Sequence, residues 1–179
     1  RRNQLVRHTD VRGTVTVYTY DANDMPATKK VGDKNEIRYV YSNGLLVSET
    51  DAMGNTTRYE HNSAGFVTAK IDAQGNRTTF EYDNLGNVLR MIDANGNSVS
   101  YVYDAIYQKT AHTDANGNTT HYSYTGNMKP SLTALPNDNV VRYEYDGEDR
   151  LIKTIERDGT QSYIYYDPAG RVTTKRDHE

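Results

Sequence analysis

Residues 72–92 read DAQGNRTTFEYDNLGNVLRMI, and the DxxGN that opens this stretch at Asp72 recurs at Asp51, Asp93 and Asp114, 21 residues apart each time. Each copy is followed, eight residues after its Asp, by Tyr59, Phe80, Tyr101 or Tyr122, and Tyr143 continues the series. A second aromatic file keeps the same step through Tyr82, Tyr103, Tyr124, Tyr145 and Tyr166. Upstream, Tyr18 and Tyr20 answer Tyr39 and Tyr41, and a single deletion between Tyr41 and His61 brings the two stretches into phase. Thirteen of the 16 tyrosines fall on the two files; only Tyr107, Tyr163 and Tyr165 do not. A fixed period of this length marks an array of supersecondary units, each burying its face only against its neighbours. Eight units fill the chain.

Within the quoted unit, Thr78, Phe80 and Tyr82 alternate with Arg77, Thr79 and Glu81, the period of a strand. Tyr82-Asp83 then leads into Asn84, Leu85 and Gly86, where Asp can cap a turn through its side chain and Gly can take positive φ. Val88 to Ile92 forms a second strand, and Asn95-Gly96 in the following DxxGN predicts a type I′ hairpin turn, in which both residues have φ > 0. Connections this short join antiparallel neighbours. The expected fold is therefore all-β, an antiparallel hairpin meander of about 16 strands. Accumulated twist makes open sheets beyond about ten strands curl, so such a meander is expected to roll or spiral.

Equivalent strands lie two ladder steps apart, about 9.6 Å, too far for tyrosines of one file to stack directly. Val67, Val88, Leu151 and Val172 hold the matching phase on the intervening strand, giving an aromatic and aliphatic surface expected to be the buried face. Pro26 and Pro130 interrupt the second strand of their units at one phase. Loops or bends are expected there, over residues 25–30 and 128–136, inside degenerate units spanning 22–34 and 125–138, with Asn137-Asp138 restoring the reading frame. The organisation expected is one array over residues 1–179.

Leu, Ile, Val and Phe make up 31 of the 179 residues, a level at which disorder competes with folding. A net charge of −3, the area supplied by tyrosine and the phasing of the apolar positions oppose disorder and predict a thin structure. With no cysteine, neither disulfides nor thiolate metal sites hold the fold. No apolar run reaches the roughly 20 residues of a membrane-spanning helix, and the near-neutral charge lacks the footprint of a nucleic-acid binder. Leu5 holds the phase of Val67 and Val88, and Asp177 opens what would be a further unit, so the chain reads as an excerpt that starts and stops in mid-array, without a signal segment of its own.

The phrases Tyr166-Asp167-Pro168-Ala169-Gly170-Arg171-Val172 and Tyr82-Asp83-Asn84-Leu85-Gly86-Asn87-Val88 closely resemble the YD repeat of Rhs proteins, of the Tc toxin cocoon, of wall-associated bacterial toxins and of teneurins. The resemblance covers the whole chain. It implies a β-strip that spirals into a hollow shell, which in many bacterial members holds a C-terminal toxin. On that basis the chain is expected to be a structural part of an encapsulating shell in a secreted or cell-surface protein. Its partners would be the remaining repeats, an enclosed C-terminal toxin domain and, as further candidates, secretion-machinery components. The structural repeat positions are the two aromatic files together with Asp83, Gly86, Asp104, Asp146, Asp167 and Gly170. The sequence departs from the repeat at His61-Asn62 and Tyr124-Thr125, and at Tyr107, Met128 and Asp149, which replace the turn glycine. It lacks a DPxGL-like autocleavage motif, so neither self-cleavage nor toxin activity carries over.

No catalytic, cofactor or metal site is expected. Asp93, Asn95, Asn97 and Asp104 have the spacing of a calcium loop, but its glycine, Gly96, is at position four instead of six. His8, His61, His112, His121 and His178 show no ligand spacing, and the carboxylates Glu144, Asp146, Glu148 and Asp149 read as a solvated face. The alternative is a cell-surface adhesion or carbohydrate-binding module using exposed tyrosines such as Tyr122 and Tyr124; burial of the aromatic face as the array's main apolar surface opposes it.

Overall fold

The structure is a computed structural model, and it describes residues 4–136 and 139–178. Seventeen strands follow one another among the described residues: β1 (Arg7–Thr9), β2 (Val15–Tyr20), β3 (Pro26–Val31), β4 (Ile37–Ser42), β5 (Leu45–Thr50), β6 (Thr56–His61), β7 (Val67–Ile71), β8 (Arg77–Tyr82), β9 (Val88–Ile92), β10 (Ser98–Tyr103), β11 (Lys109–Thr113), β12 (Thr119–Tyr124), β13 (Pro130–Leu135), β14 (Asn139–Tyr145), β15 (Leu151–Ile155), β16 (Gln161–Tyr166) and β17 (Val172–His178). The chain is an all-β antiparallel meander, one strand longer than the period alone suggests because β1 pairs with β2 upstream of the first complete unit. It divides into two compact units, with the division falling within β9. In the first, β1 to β8 pair consecutively and antiparallel. In the second, β10 to β17 do the same.

The turns explain why so short a unit is enough. At Asp72 the main-chain carbonyl accepts the Gly75 N–H at 3.1 Å, and the Asp72 N–H donates to the Asn76 carbonyl at 3.0 Å. One side-chain oxygen of Asp72 accepts the N–H groups of both Gln74 and Asn76 at 2.9 Å. Gly75 has φ 86°. This is a type I turn closed by a left-handed residue, the three-residue hairpin with a bulge. At Asn95-Gly96 only the glycine has positive φ, so the type I′ expectation is corrected there. The carboxylate of Asp93 satisfies the Asn95 N–H at 2.9 Å and favours the type I geometry instead. A two-residue loop of the type I′ kind does occur, at Asn43-Gly44, with φ 51° and 78° and Ser42 opposite Leu45. That shorter loop is the deletion seen between Tyr41 and His61.

Tyrosine-aspartate turns use the same geometry. Asp167 accepts the N–H groups of Ala169 and Arg171 at 2.9 Å, and Asp104 and Asp146 cap their turns likewise. Where glycine is missing the backbone still enters the left-handed region, at Tyr107 (64°), Met128 (61°) and Asp149 (60°). After these turns the register shifts by one residue: Val102 faces Ala111 while Tyr103 faces Lys109, leaving Thr110 extra. The same bulge recurs at Tyr20, Tyr41, His61, Tyr124, Tyr145 and Tyr166. Each one bends its strand and sharpens the local twist.

The loops expected at the two prolines are absent: strands β3 and β13 run through residues 26–31 and 130–135. Pro26 and Pro130 are the first residues of their strands and pair with Tyr20 and Tyr124 at the bulge, where the ladder requires no donor from them. Asn137-Asp138 and the frame restoration assigned to it lie outside the described residues.

The structure is thin, as the composition suggests, but the aromatic face is covered less deeply than expected. The exposed area is 12,480 Å², against about 8,800 Å² for a compact monomer of this mass. Only Ala69 and Ala111 among the described apolar residues are buried, and no large side chain is fully covered. The aromatic files are half-buried while the residues alternating with them, such as Arg58, Glu60 and Glu144, are exposed. The aromatic face is thus the better covered of the two, yet it is not a closed core. Ala69 is buried on the other face, in register between Glu60 and Thr79, beneath the forked ion pair that Arg77 makes with Glu60 at 2.6 Å.

Candidate functional site

The recurrent chemical feature of this molecule is a clasp that joins a unit to the one before it, formed by five tyrosines of the second file and its upstream continuation. The β7–β8 ladder runs from Ile71↔Arg77 to Ala69↔Thr79 and stops, leaving the Val67 carbonyl short of a main-chain donor. The Tyr82 hydroxyl donates to that carbonyl at 2.7 Å. Tyr103 reaches Val88 at 3.0 Å, Tyr124 reaches Lys109 at 2.7 Å, Tyr166 reaches Leu151 at 2.9 Å and Tyr20 reaches Leu5 at 2.9 Å, always 15 residues back. Each accepting carbonyl belongs to a residue that starts or precedes a strand; at Val67, Lys109 and Leu151 the ladder to the following strand begins only two residues later, at Ala69, Ala111 and Lys153. Tyrosine is therefore required for its oxygen as well as its ring. Tyr41 and Tyr145, whose counterparts 15 residues back are Pro26 and Pro130, stand outside this series.

Ring packing completes the clasp. Phe66 lies 5.3 Å from the Tyr82 ring, and a Cβ added at Gly86 would come within 2.7 Å of Phe66. Arg150 repeats both relations, 4.8 Å from the Tyr166 ring and 3.7 Å from a Cβ at Gly170. The turn glycine of one unit thus leaves room for a side chain of the unit before. Ion pairs with Asp146 at 2.7 Å and Glu148 at 2.8 Å hold Arg150 in place. Phase alone does not reveal this neighbour, because Leu45, Phe66 and Arg150 share a position without sharing chemistry; the only sequence signal was that Phe66 is the phenylalanine outside the files.

The remaining first-file residues, Tyr18, Tyr39, Tyr59, Phe80, Tyr101, Tyr122 and Tyr143, are half-buried along one face. The gap between Tyr101 and Tyr122 is filled by Lys109, whose Nζ is 5.9 Å and 4.8 Å from the two rings, and by His112 stacked on Tyr101 at 5.2 Å. Aliphatics do oppose the second file at His61↔Val67, Tyr145↔Leu151 and Tyr166↔Val172, but Lys109 takes that place beside Tyr103. Loss of hydration pushes the phenols of Tyr39, Tyr41, Tyr59, Tyr82, Tyr124 and Tyr145 above their ordinary range.

Carboxylates are committed to the turns. Asn55, Asn76 and Asn118 donate side-chain N–H groups to Asp51, Asp72 and Asp114, and these bonds, with those from the main chain, hold the three carboxyls below the usual range. Main-chain donors do the same first of all for Asp10, Asp146, Asp158 and Asp167. Glu144 pairs with Lys153 at 3.6 Å, and Asp149 accepts from Asn127 at 2.9 Å. No group of three or more His, Asp or Glu residues suited to a metal ion occurs among the described residues. Asp83 caps the Leu85 N–H at 2.9 Å, and its turn closes through Gly86 at 3.2 Å.

A family model described as teneurin YD-shell matches residues 1–179. No curated protein matches the chain. Among solved structures, the crystal structure of TcdB2-TccC3 without its hypervariable C-terminal region is similar with a TM-score of 0.76 and 18% identity, over 96% of this chain and 11% of that one. TcdB2-TccC3-TEV gives 0.74 and 19%, and the Tc holotoxin pore of Photorhabdus luminescens 0.74 and 18%, with the same coverage. These likenesses show a shared fold. The chain spans about a tenth of the length of the solved chains it matches.

Proposed function

Because the chain belongs to the teneurin YD-shell family, we propose that it is a stretch of wall in a hollow β-shell that encloses a C-terminal toxic cargo domain of an exported protein. One observation carries this reading: the strands are held by clasps from unit to unit, with almost no core beneath them. A structure stabilised between nearest neighbours can be prolonged by adding units, and a thin sheet encloses space with few residues. The solved complexes of similar fold support it, since one of them is described by the removal of a hypervariable C-terminal region. The aromatic files and Asp83, Gly86, Asp104, Asp146, Asp167 and Gly170 would then be wall-forming positions without a catalytic step. Its partners would be the other repeats of the parent chain, the enclosed domain and components of an export machinery. The adhesive or carbohydrate-binding alternative meets rings already engaged: Tyr122 takes the Lys109 ammonium, and the Tyr124 hydroxyl is bonded to Lys109.

The test is protease protection in the parent protein. The C-terminal domain is expected to resist a protease that digests it when expressed alone, and Tyr103→Ala with Tyr124→Ala is expected to expose it. Equal digestion of the enclosed and the isolated domain would overturn the proposal.

A further inference from the structure

Three Asn-Gly pairs occur in the chain: Asn43-Gly44, Asn95-Gly96 and Asn116-Gly117. All three are in turns, but the structure treats them differently. Gly96 N–H donates to the Asp93 carbonyl and Gly117 N–H to the Asp114 carbonyl, both at 3.1 Å. The N–H groups of Asn95 and Asn116 are held as well, each 2.9 Å from the carboxylate of the same Asp. In the two-residue loop between β4 and β5, Ser42 and Leu45 close the ladder, and the Gly44 N–H makes no hydrogen bond among the described residues. Asn43 and Gly44 are both exposed.

We propose that Asn43-Gly44 is a site of spontaneous deamidation, at which the fold leaves the reacting nitrogen free. The Gly44 main-chain nitrogen, after losing its proton to water, attacks the Asn43 side-chain carbonyl carbon. A new C–N bond closes a five-membered imide, the bond to the side-chain amide nitrogen breaks, and that nitrogen leaves as ammonia. Water then opens the imide at either carbonyl, giving aspartate or isoaspartate; nothing is oxidised or reduced. Glycine has no side chain to shield its nitrogen. At the other two pairs the same nitrogen must first abandon an Asp carbonyl, which costs a hydrogen bond before reaction begins.

The two products act differently on the fold. Aspartate at position 43 keeps the Asp-Gly chemistry that a type I′ turn accepts. Isoaspartate routes the main chain through the former side chain and adds a methylene to a loop of only two residues. The Ser42↔Leu45 pair is then lost, and the β4–β5 hairpin opens at its tip.

Ageing the whole chain in mildly alkaline buffer, followed by peptide mapping with separation of the aspartyl and isoaspartyl forms, tests this. In the native protein Asn43 is expected to convert about five- to tenfold faster than Asn95 and Asn116, the factor set by one hydrogen bond. In denaturant the three rates are expected to converge. Equal native rates, or a slower Asn43, would overturn the assignment. The Asn43→Asp variant separates charge from backbone: it is expected to resist protease like the parent, while the isoaspartyl fraction is cut between β4 and β5. An isoaspartyl fraction as resistant as the parent would refute the opening of the hairpin.

Discussion

The Tyr82 hydroxyl lies 2.7 Å from the Val67 carbonyl oxygen, two residues beyond the last main-chain pair between their strands, Ala69↔Thr79. A side chain here continues a ladder that the backbone has abandoned, and the relation recurs wherever the clasp forms. Tyr82→Phe and Tyr124→Phe keep the ring and remove the donor, so each should cost about 1 kcal/mol. Denaturant midpoints of the two variants check this; unchanged midpoints would reduce the clasp to ring packing.

Gly86 and Gly96 have similar φ, 92° and 83°, but only a Cβ at Gly86 meets a neighbour, Phe66 at 2.7 Å. Gly96→Ala should therefore cost only the left-handed backbone strain, about 1 kcal/mol. Gly86→Ala should cost about 1–3 kcal/mol more from overpacking. Adding Phe66→Leu to Gly86→Ala should recover part of that excess, and a double-mutant cycle measures the coupling.

Tyr107 and Met128 occupy glycine positions with φ near 60°. Replacing either with glycine relieves left-handed strain and should stabilise the chain by about 1 kcal/mol. Both side chains are largely exposed, so little packing is lost. A lowered melting temperature in both variants would show that these side chains contribute more than their backbone costs.

Stability should fall at both ends of the pH range, for opposite reasons. The carboxyls of Asp51, Asp72 and Asp114 are lowered from 3.8 by hydrogen bonds that require the charged form. Their contribution is present above that value and is lost as pH falls through the lowered one. The Asp72→Asn variant keeps an acceptor oxygen, as Asn62 does in its own turn, and should weaken the acid dependence. Phenols such as Tyr82 and Tyr124 are raised from 10.0 by desolvation, so their contribution holds below pH 10.0 and is lost as pH rises through the raised value. Unfolding followed by circular dichroism, with tyrosinate absorbance at the alkaline end, checks both limbs.

The strand alternation, the antiparallel order and the repeat family were legible in DxxGN and the tyrosine files, because those signals are local and repeat. Turn type at Asn95-Gly96 was not, since the dipeptide suits a type I′ turn until the Asp93 carboxylate captures the Asn95 N–H. Pro26 and Pro130 read as breaks, yet each starts a strand at a bulge whose position depends on the partner strand. The clasp was half legible: the tyrosines were evident from their spacing, while Phe66 and Arg150 share a phase and no chemistry.

The period, the strands and the antiparallel connections follow from the order of residues alone, because each depends on residues within one 21-residue unit. Tertiary structure decided what each tyrosine does. Whether a hydroxyl finds a carbonyl depends on where a ladder ends 15 residues earlier, and whether a glycine is needed for space or only for φ depends on the side chain brought beneath it. The depth of the aromatic face was decided there too, since a single half-covered layer and a closed core share one alternating pattern and differ only in what lies against the sheet.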